Sequence, residues 1–279
     1  MIHPEIPDWL RSTLVTVSVA SFLPQLQRIT SRRSCAGLSR IFVLSNLISA
    51  TEQFTIFFYA LVNTETENVF VKTSPPSTGD WLNFSQTAAV WLLFLALFAL
   101  ALYSSHQKRL GWIYATFLPL SVVPLVLDAA LPPLVDRESR KWMLVFFYMF
   151  HTMLVVPLIT VFNLVAVCSQ ARLICTAQKS SALSLPGLFV QAVVFSLVAL
   201  SWIWRVPFPW ERVDYLSLRL LSTWYGSVGW IAVDNGIFGL GRALLLVMAL
   251  RRGFRKGWME LEGETKPLLA DGGYRGYTS

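Results

Sequence analysis

Two acids and one histidine fall inside stretches of the sequence that are otherwise apolar. Asp234 lies near the middle of the last apolar stretch, Glu52 near the middle of the second, and His151 in the first half of the fifth. An ionisable side chain at the centre of a membrane-spanning helix costs about 2.5 to 3.5 kcal/mol on insertion scales, and such side chains often relay protons. The three residues are therefore candidates for binding and releasing protons at membrane depth.

Polar and aromatic neighbours extend this candidate site. Asn235 and Gln53 follow the two acids directly in the sequence, and their amides could contact a polar solute. Trp230 lies about one turn before Asp234, where it could line a solute pocket, although an aromatic residue in this setting is more typical of an anchor at the membrane surface. Two structural alternatives stay open: Asp234 could pair with Arg242, and the other acid could bond a nearby hydroxyl group.

The composition places the elements that carry these residues in a lipid bilayer. Of the 279 residues, 54% are hydrophobic and only 14% are charged, and a soluble domain could not shield that much apolar surface from water. Crossing a bilayer takes about 20 residues of helix. Seven stretches are long enough, near 9–28, 38–63, 81–104, 110–132, 142–168, 185–205 and 222–250. The sequence therefore predicts an all-α membrane protein, in which the first span is the least hydropathic.

One degenerate motif occurs twice in the chain, 145 residues apart. The first copy is Pro24-Gln25 followed by Leu38-Ser39, and the second is Ser169-Gln170 followed by Leu183-Ser184. The spacing within the two copies is the same, so they align without a gap. Repetition at a fixed offset between hydrophobic segments indicates a membrane protein built from two parallel repeats.

The first copy of the motif has a direct physical interpretation. A proline inside a helix removes one backbone hydrogen bond and clashes with an earlier carbonyl, which costs about 3 kcal/mol unless neighbours satisfy the freed group. Pro24 is therefore a predicted kink or hinge. Gln25 is expected to supply polar contacts there, including one with the backbone or a side chain of the other repeat.

These residues resemble the PQ-loop family, which includes the lysosomal cystine exporter, the vacuolar cationic amino acid transporters and, more distantly, the SWEET sugar transporters. The resemblance implies seven transmembrane helices, arranged as two parallel three-helix bundles joined by a linker helix. We divide the chain accordingly into 1–104, the linker 105–140, 141–250 and a disordered cytosolic tail at 251–279. In this family an acid on the seventh helix is proposed for proton coupling, and Asp234 looks like its counterpart. One residue departs from the pattern, since Ser169 stands where the family usually has proline, so the two hinges are expected to differ.

Lysine and arginine positions predict the orientation. With the N-terminus on the lumenal side, the cytosolic segments carry 12 basic residues and the opposite segments carry eight. The first loop on the cytosolic side has four arginines and no acid, and such a loop weighs heavily in membrane topology. The N-terminus is therefore predicted to be lumenal and the C-terminus cytosolic. The net charge of +7 then reflects topology, and no nucleic-acid partner is expected.

The predicted tail contains a possible sorting signal. Glu264 precedes the pair Leu268 and Leu269 by four residues, which matches the acidic dileucine pattern. A leucine pair in a disordered tail has no core to join, so an adaptor protein is a plausible partner. The pattern favours a vacuolar or lysosomal membrane.

The sequence thus favours a transporter that moves a small polar solute, an amino acid or a sugar-like compound, out of an acidic organelle with proton coupling. A receptor or accessory protein with the same layout, or a membrane-embedded biosynthetic enzyme, is the alternative. An enzyme should bring two or more acids together from different helices, and only Glu52 and Asp234 could do so. The three cysteines lack metal-ligand spacing and no nucleotide-binding motif occurs, so neither an enzyme nor a metal or other cofactor is expected.

Overall fold

The computed structural model describes residues 6–62, 70–71, 75–104, 108–130, 137–176, 183–206, 208 and 218–265. Within these ranges the regular structure is helical and contains no strand. The seven helices of the described chain are α1 (Asp8–Arg32), α2 (Arg40–Val62), α3 (Thr78–Tyr103), α4 (Lys108–Ala130), α5 (137–176), α6 (Leu185–Arg205) and α7 (218–265). The prediction of an all-α protein is confirmed.

Five of these helices are long and apolar enough to cross a membrane. The qualifying segments are Arg40–Val62, Thr78–Tyr103, Val145–Thr176, Leu185–Arg205 and Leu220–Gly253. Helix α1 has 25 residues and α4 has 23, so length would suffice, but neither is among the five. In α1 the reason is visible in its sequence, where serine, threonine and glutamine interrupt the apolar residues. Seven membrane spans therefore remain a prediction.

The helices pack as two triplets with the same internal order. In the first triplet α3 packs against both α1 and α2, and in the second α7 packs against both α5 and α6. The triplets meet through two equivalent contacts, α1 with α6 and α2 with α5. Helix α4 packs on α2 and α3, beside the first triplet. The third helix of each repeat thus lies between the other two, and the duplication in the sequence corresponds to a duplication in the packing.

Four phenylalanines form the core where the triplets meet. Phe22 of α1 contacts Phe94 of α3 at 5.0 Å and Phe195 of α6 at 6.0 Å between ring centroids. Phe238 of α7 completes the ring at 5.5 Å from Phe94 and 4.5 Å from Phe195. All four contacts are edge-to-face, an arrangement worth about 0.5 to 1.5 kcal/mol per pair beyond the burial of area. This ring joins four helices, two from each repeat.

A glycine allows α6 and α7 to approach closely. A Cβ atom at Gly239 would lie 2.8 Å from the backbone nitrogen and from the hydroxyl oxygen of Ser196. The neighbour at that distance is partly backbone, which cannot move aside cheaply. Small residues at helix interfaces serve the same purpose in membrane proteins generally. The close fit fixes α7, which carries Asp234, against its neighbour.

The end of α7 corrects one prediction. A disordered tail was expected from residue 251, but the helix continues to Thr265. The segment is rich in good helix formers, and Lys256 and Glu260 have the spacing of an i, i+4 ion pair, so the helix can extend past its apolar part. Residues 266–279, including Leu268 and Leu269, lie outside the described residues. The second triplet also begins at residue 137, four residues inside the predicted linker.

Candidate functional site

Gln170 of the second repeat binds the start of α2 in the first repeat. Its side-chain oxygen accepts from the backbone N–H of Ser39 at 2.6 Å, and its side-chain nitrogen donates to the carbonyl of Gly37 at 2.9 Å. Gly37 has a φ of 88°, a left-handed conformation that glycine adopts without strain and that aims its carbonyl at Gln170. Ser39 in turn caps α2, because its hydroxyl accepts from the N–H of Phe42 at 3.4 Å.

Gln25 makes the equivalent bond in the opposite direction. Its side-chain oxygen accepts from the backbone N–H of Ser184 at 2.9 Å, and Ser184 caps α6 by accepting from Gly187 at 3.2 Å. This is the contact with the other repeat that the sequence predicted for Gln25. The glutamine of each repeat thus binds the N-cap serine of the second helix of the other repeat, which is α2 or α6. We call these two contacts the glutamine clamps.

The clamps differ in the residue that precedes the glutamine. Pro24 lies inside α1 and is half-buried. Ser169 occupies the equivalent place in α5, where its hydroxyl lies 3.0 Å from that of Ser39. The second repeat therefore has an extra hydrogen bond between helices where the first repeat has a proline ring.

We expect Gln170→Ala to destabilise the protein by about 1 to 3 kcal/mol, since the buried N–H of Ser39 would lose its acceptor. Thermal unfolding in detergent measures this change. The matched control is Gln27→Ala, because Gln27 is an exposed glutamine on α1. Equal unfolding temperatures for the two variants would contradict a structural role for the clamp.

Asp234 lies in the middle of α7 and is buried, with 4% of its surface exposed. Thr160 of α5 donates to one carboxylate oxygen at 2.6 Å, and Ser49 of α2 lies 3.4 Å from the other. The hydroxyl of Tyr225 is 2.8 Å from that of Thr160 and so joins the same chain of hydrogen bonds. Three helices from both repeats converge on this carboxylate, and its hydrogen-bond donors among the described residues are neutral hydroxyl groups.

Glu52 lies one turn further along α2 and has a different set of partners. Its carboxylate contacts Nδ1 of His151 on α5 and accepts from the hydroxyl of Ser121 on α4 at 3.0 Å. Glu52 and His151 are both almost fully buried, with 1% of each exposed. The structure therefore brings together two residues that the sequence had nominated separately. Each of these two buried ionisable groups therefore has the other as a direct partner.

Ser49, which contacts Asp234, and Glu52 both lie on α2. They are three residues apart on α2, so their side chains lie on the same face of the helix. His151 begins a π-helical turn in α5, His151–Val155, which packs against a second π-helical turn in α7, Tyr225–Gly229. Single π-turns inside α-helices occur often at functional sites, where they shift the register of side chains. We call these two neighbouring groups, Ser49, Thr160 and Asp234 on one side and Glu52 and His151 on the other, the central polar network.

Asn235 and Gln53 also come together beside this network. The side-chain nitrogen of Asn235 lies 3.4 Å from the side-chain oxygen of Gln53, and it donates to the carbonyl of Ile231 at 2.8 Å. Trp230 has no exposed surface and packs against Phe70 with ring centroids 6.3 Å apart. A buried tryptophan is not an anchor at the membrane surface, so that interpretation is wrong. Its indole N–H has no hydrogen-bond partner among the described residues.

The alternative ion pair of Asp234 with Arg242 is not formed. The guanidinium of Arg242 is held between two aromatic rings, 4.3 Å from the centroid of Phe42 and 4.4 Å from that of Phe238. Such contacts bind a cation through the negative face of the ring. The two charged residues are eight positions apart on α7, and each has its own surroundings.

Several members of the site could not have been chosen from the sequence. Ser49, Thr160, Ser121 and Tyr225 are neutral polar residues, which are common in membrane helices and carry no signal of their own. Their positions on facing helices decide which carboxylate they bind. No group of three or more His, Cys, Asp or Glu side chains that could hold a metal ion occurs in the part of the chain that the structure describes.

A large cavity lies at the end of the molecule where α1 finishes and α2 begins. Its volume is about 1220 Å³, and its wall includes Ser39, Ser169, Arg33, Arg40 and Arg172. The cavity therefore reaches the hydroxyl pair beside one glutamine clamp. It does not reach the central polar network, none of whose residues lines it.

The comparisons with known proteins bear on the first repeat. A family model described as PQ loop repeat matches residues 7–64, which cover α1, α2 and the first clamp glutamine. The resemblance that the sequence suggested is thereby confirmed over that segment. No curated protein and no solved structure matches the chain.

Proposed function

We propose that this chain, whose residues 7–64 are a PQ loop repeat, is a multi-pass membrane transporter that couples the movement of a small polar solute to protons. The observation that carries the proposal is the buried carboxylate of Asp234, held by hydroxyl groups of α2 and α5. Both helices belong to the contact through which the two triplets meet. A proton bound there can therefore influence how the two repeats fit together.

The two buried acids differ in a way that favours Asp234 as the coupling group. Glu52 has a histidine partner, so its charge can be compensated inside the protein. Asp234 has only hydroxyl donors in its immediate contacts, and a buried carboxylate without a cationic partner is costly in its charged form. Protonation removes that cost. The gain or loss of one proton at Asp234 thus changes the energy of any state that keeps it buried.

The solute is proposed to bind near the central polar network. Asn235 and Gln53 meet there at 3.4 Å, a long contact that a solute could replace with shorter hydrogen bonds. The unpartnered indole N–H of Trp230 is one turn away on the same helix. These three groups supply donors and an acceptor without a net charge.

The transport cycle is proposed to exchange two packings of the triplets about the glutamine clamps. The clamp at Gln25 follows a proline and the clamp at Gln170 follows Ser169, so the two hinges are expected to bend unequally. Pro24 weakens its helix locally, whereas the Ser169 side adds a hydrogen bond to Ser39. Movement should therefore be easier at the first hinge.

Purified protein in liposomes tests the proposed function. A pH gradient is imposed, amino acids and sugars are offered separately on the acidic side, and solute-dependent proton flux is recorded. Flux that requires both the solute and the gradient is the expected result. Solute movement that does not depend on the pH gradient would indicate a facilitative carrier. The absence of movement for every solute would refute the proposal that the protein is a transporter.

We also propose an acidic organelle, with the N-terminus in its lumen and adaptor binding at the C-terminal tail. Replacing Leu268 and Leu269 with alanine should redirect the protein to the cell surface, because the dileucine pair is the part of the signal that an adaptor would bind. Fluorescence microscopy of the tagged double variant measures this, with Leu261→Ala, inside α7, as the control. Unchanged organelle labelling would remove the sorting signal from consideration.

A membrane-embedded enzyme is the second candidate that a specific observation supports. Glu52 and Asp234 come from α2 and α7, and Asp234 contacts Ser49, which lies three residues before Glu52 on α2, so the two acids converge from different helices. Both carboxylates, however, are already bonded by protein groups, and the large cavity does not reach them. A receptor with this layout would bind solute without moving it, an outcome that the liposome experiment distinguishes.

A further inference from the structure

A second buried polar cluster lies away from the central polar network, between α1, α3 and α6. Its centre is Arg205, in the last turn of α6, with only 5% of its surface exposed. One guanidinium nitrogen, Nη1, donates to the side-chain oxygen of Asn83 at 3.2 Å and to that of Gln86 at 2.6 Å. Gln86 donates onward to the hydroxyl of Ser18 on α1 at 3.1 Å. The cluster thus joins both repeats.

The remaining guanidinium nitrogens of Arg205 are buried and have no partner in the part of the chain that the structure describes. Neither Nε nor Nη2 has a hydrogen-bond acceptor among the described residues. These two nitrogens form one edge of the planar guanidinium, and their N–H bonds run parallel. That edge matches the two oxygens of a carboxylate, which it can bind in a bidentate manner. The amides of Asn83 and Gln86 hold the opposite nitrogen and so fix the direction of the free edge.

None of the contacts that Arg205 makes within the described ranges carries a negative charge. Asn83, Gln86 and Ser18 are neutral, and the ring of Trp202 lies 4.6 Å from the guanidinium carbon of Arg205. Arg11 on α1 is near enough to repel Arg205 electrostatically. The C-terminal end of a helix favours a cation, worth about 0.3 to 1 kcal/mol, but it leaves the two free N–H groups unsatisfied.

Arg11 is better satisfied than its neighbour. Its Nε donates to the carbonyl of Ile6 at 3.1 Å and lies 3.9 Å from the carboxylate of Asp8. The carboxylate of Asp8 is largely exposed to solvent. Because Arg11 already has a carbonyl acceptor and a nearby carboxylate, it does not need a ligand. Of these two arginines, only Arg205 has buried nitrogens without an acceptor among the described residues.

We propose that the free edge of Arg205 binds a carboxylate group of the transported solute, which makes the solute a carboxylic acid or an amino acid and excludes a neutral sugar. The proposal rests on the transport function proposed above. It places at Arg205 a solute site that is separate from the one near the central polar network, so that the solute occupies the two sites in succession. Arg205 orients the solute by its carboxylate, while Asn83 and Gln86 position Arg205.

The experiment uses the full chain in detergent and follows its thermal unfolding with four probes. They are a mixture of the common L-amino acids, the amines that correspond to them without the carboxyl group, glucose, and sodium acetate. Only the amino acids should raise the unfolding temperature. Stabilisation by glucose or by the amines would overturn the proposal, and so would no stabilisation by any probe. Equal stabilisation by acetate would show a site for free anions and not for the cargo.

Three variants separate ligand binding from a structural role of Arg205. Arg205→Lys keeps the positive charge but loses the planar edge of the guanidinium. The amino acid concentration that gives half of the maximal rise in unfolding temperature should therefore increase about 10- to 100-fold. Gln86→Glu gives Arg205 a permanent carboxylate, which should raise the unfolding temperature without solute and abolish the response to amino acids. Arg242→Gln is the matched control, because Arg242 is also a buried arginine against aromatic rings, and it should keep the full response.

The outcomes distinguish this inference from the proposed function. An unchanged response in Arg205→Lys and Gln86→Glu would mean that Arg205 is structural, whatever the liposomes show. Proton-coupled flux of sugars would retain the transporter and refute the carboxylate site. An amino acid response that depends on Arg205, without any flux in liposomes, would retain the site and refute the transporter.

Discussion

Asp234→Asn is expected to reduce proton-coupled flux to the level of liposomes without protein, while the protein still folds and inserts. Asparagine has the shape of aspartate and an oxygen that can accept from Thr160 or Ser49, so the packing of α7 should persist. It cannot bind a proton in the way a carboxylate does. The coupling step is therefore removed without removing the helix contacts.

The measurement is solute-dependent proton flux at equal amounts of reconstituted protein. Glu138→Gln serves as the control, because Glu138 is an exposed acid in the first turn of α5. It should retain the flux of the unmodified protein. Flux that still follows the pH gradient in Asp234→Asn would show that another group couples, and Glu52 would then be the next acid to test.

Breaking the pair of Glu52 and His151 is expected to destabilise the protein by about 3 to 5 kcal/mol, because a buried ionisable group would lose its partner. Glu52→Ala and His151→Ala should each show this loss as a lower unfolding temperature in detergent. The double variant Glu52→Gln with His151→Gln should lose less stability than the two single variants, Glu52→Gln and His151→Gln, lose when their losses are added. The reason is that two neutral amides need no charge compensation.

The loss of a single hydrogen bond to Glu52 provides a reference value for these losses of stability. Ser121→Ala removes the other hydrogen bond to Glu52 and should cost only about 1 kcal/mol. Losses that simply add in the double variant would mean that the two residues act independently, contrary to their contact. The same six variants in liposomes would show whether the pair also contributes to flux.

The hydrophobic composition and the length of the apolar stretches were enough to predict helices and a bilayer. They did not fix the limits of the helices. Helix α7 extends to Thr265 because its sequence beyond Arg251 and Arg252 still favours helix. The change from apolar to polar residues there marks the end of the apolar segment, and the helix continues past it. Helix α1 is long enough for a span but carries too many hydroxyl and amide groups to be among the five apolar ones.

The duplicated glutamines could be found from the sequence because the two copies are aligned at one offset. That alignment also predicted a contact of Gln25 with the other repeat, which Ser184 provides. The two acids and His151 stood out because charge is rare in apolar helices. In each case the chemistry of a residue type, or its repetition, was itself the signal.

Only the tertiary structure decided which of these residues meet. His151 lies 99 residues from Glu52, and nothing in either segment specifies the rotation of α5 that turns the imidazole toward α2. The same holds for Arg205, which the sequence analysis had included only among the eight basic residues of the segments opposite the cytosol, and for Trp230, which packing placed in the interior. Helical period fixes which residues share a face, but the neighbour of that face depends on the docking of whole helices. That docking is the sum of many weak contacts along each helix, and no single motif encodes it.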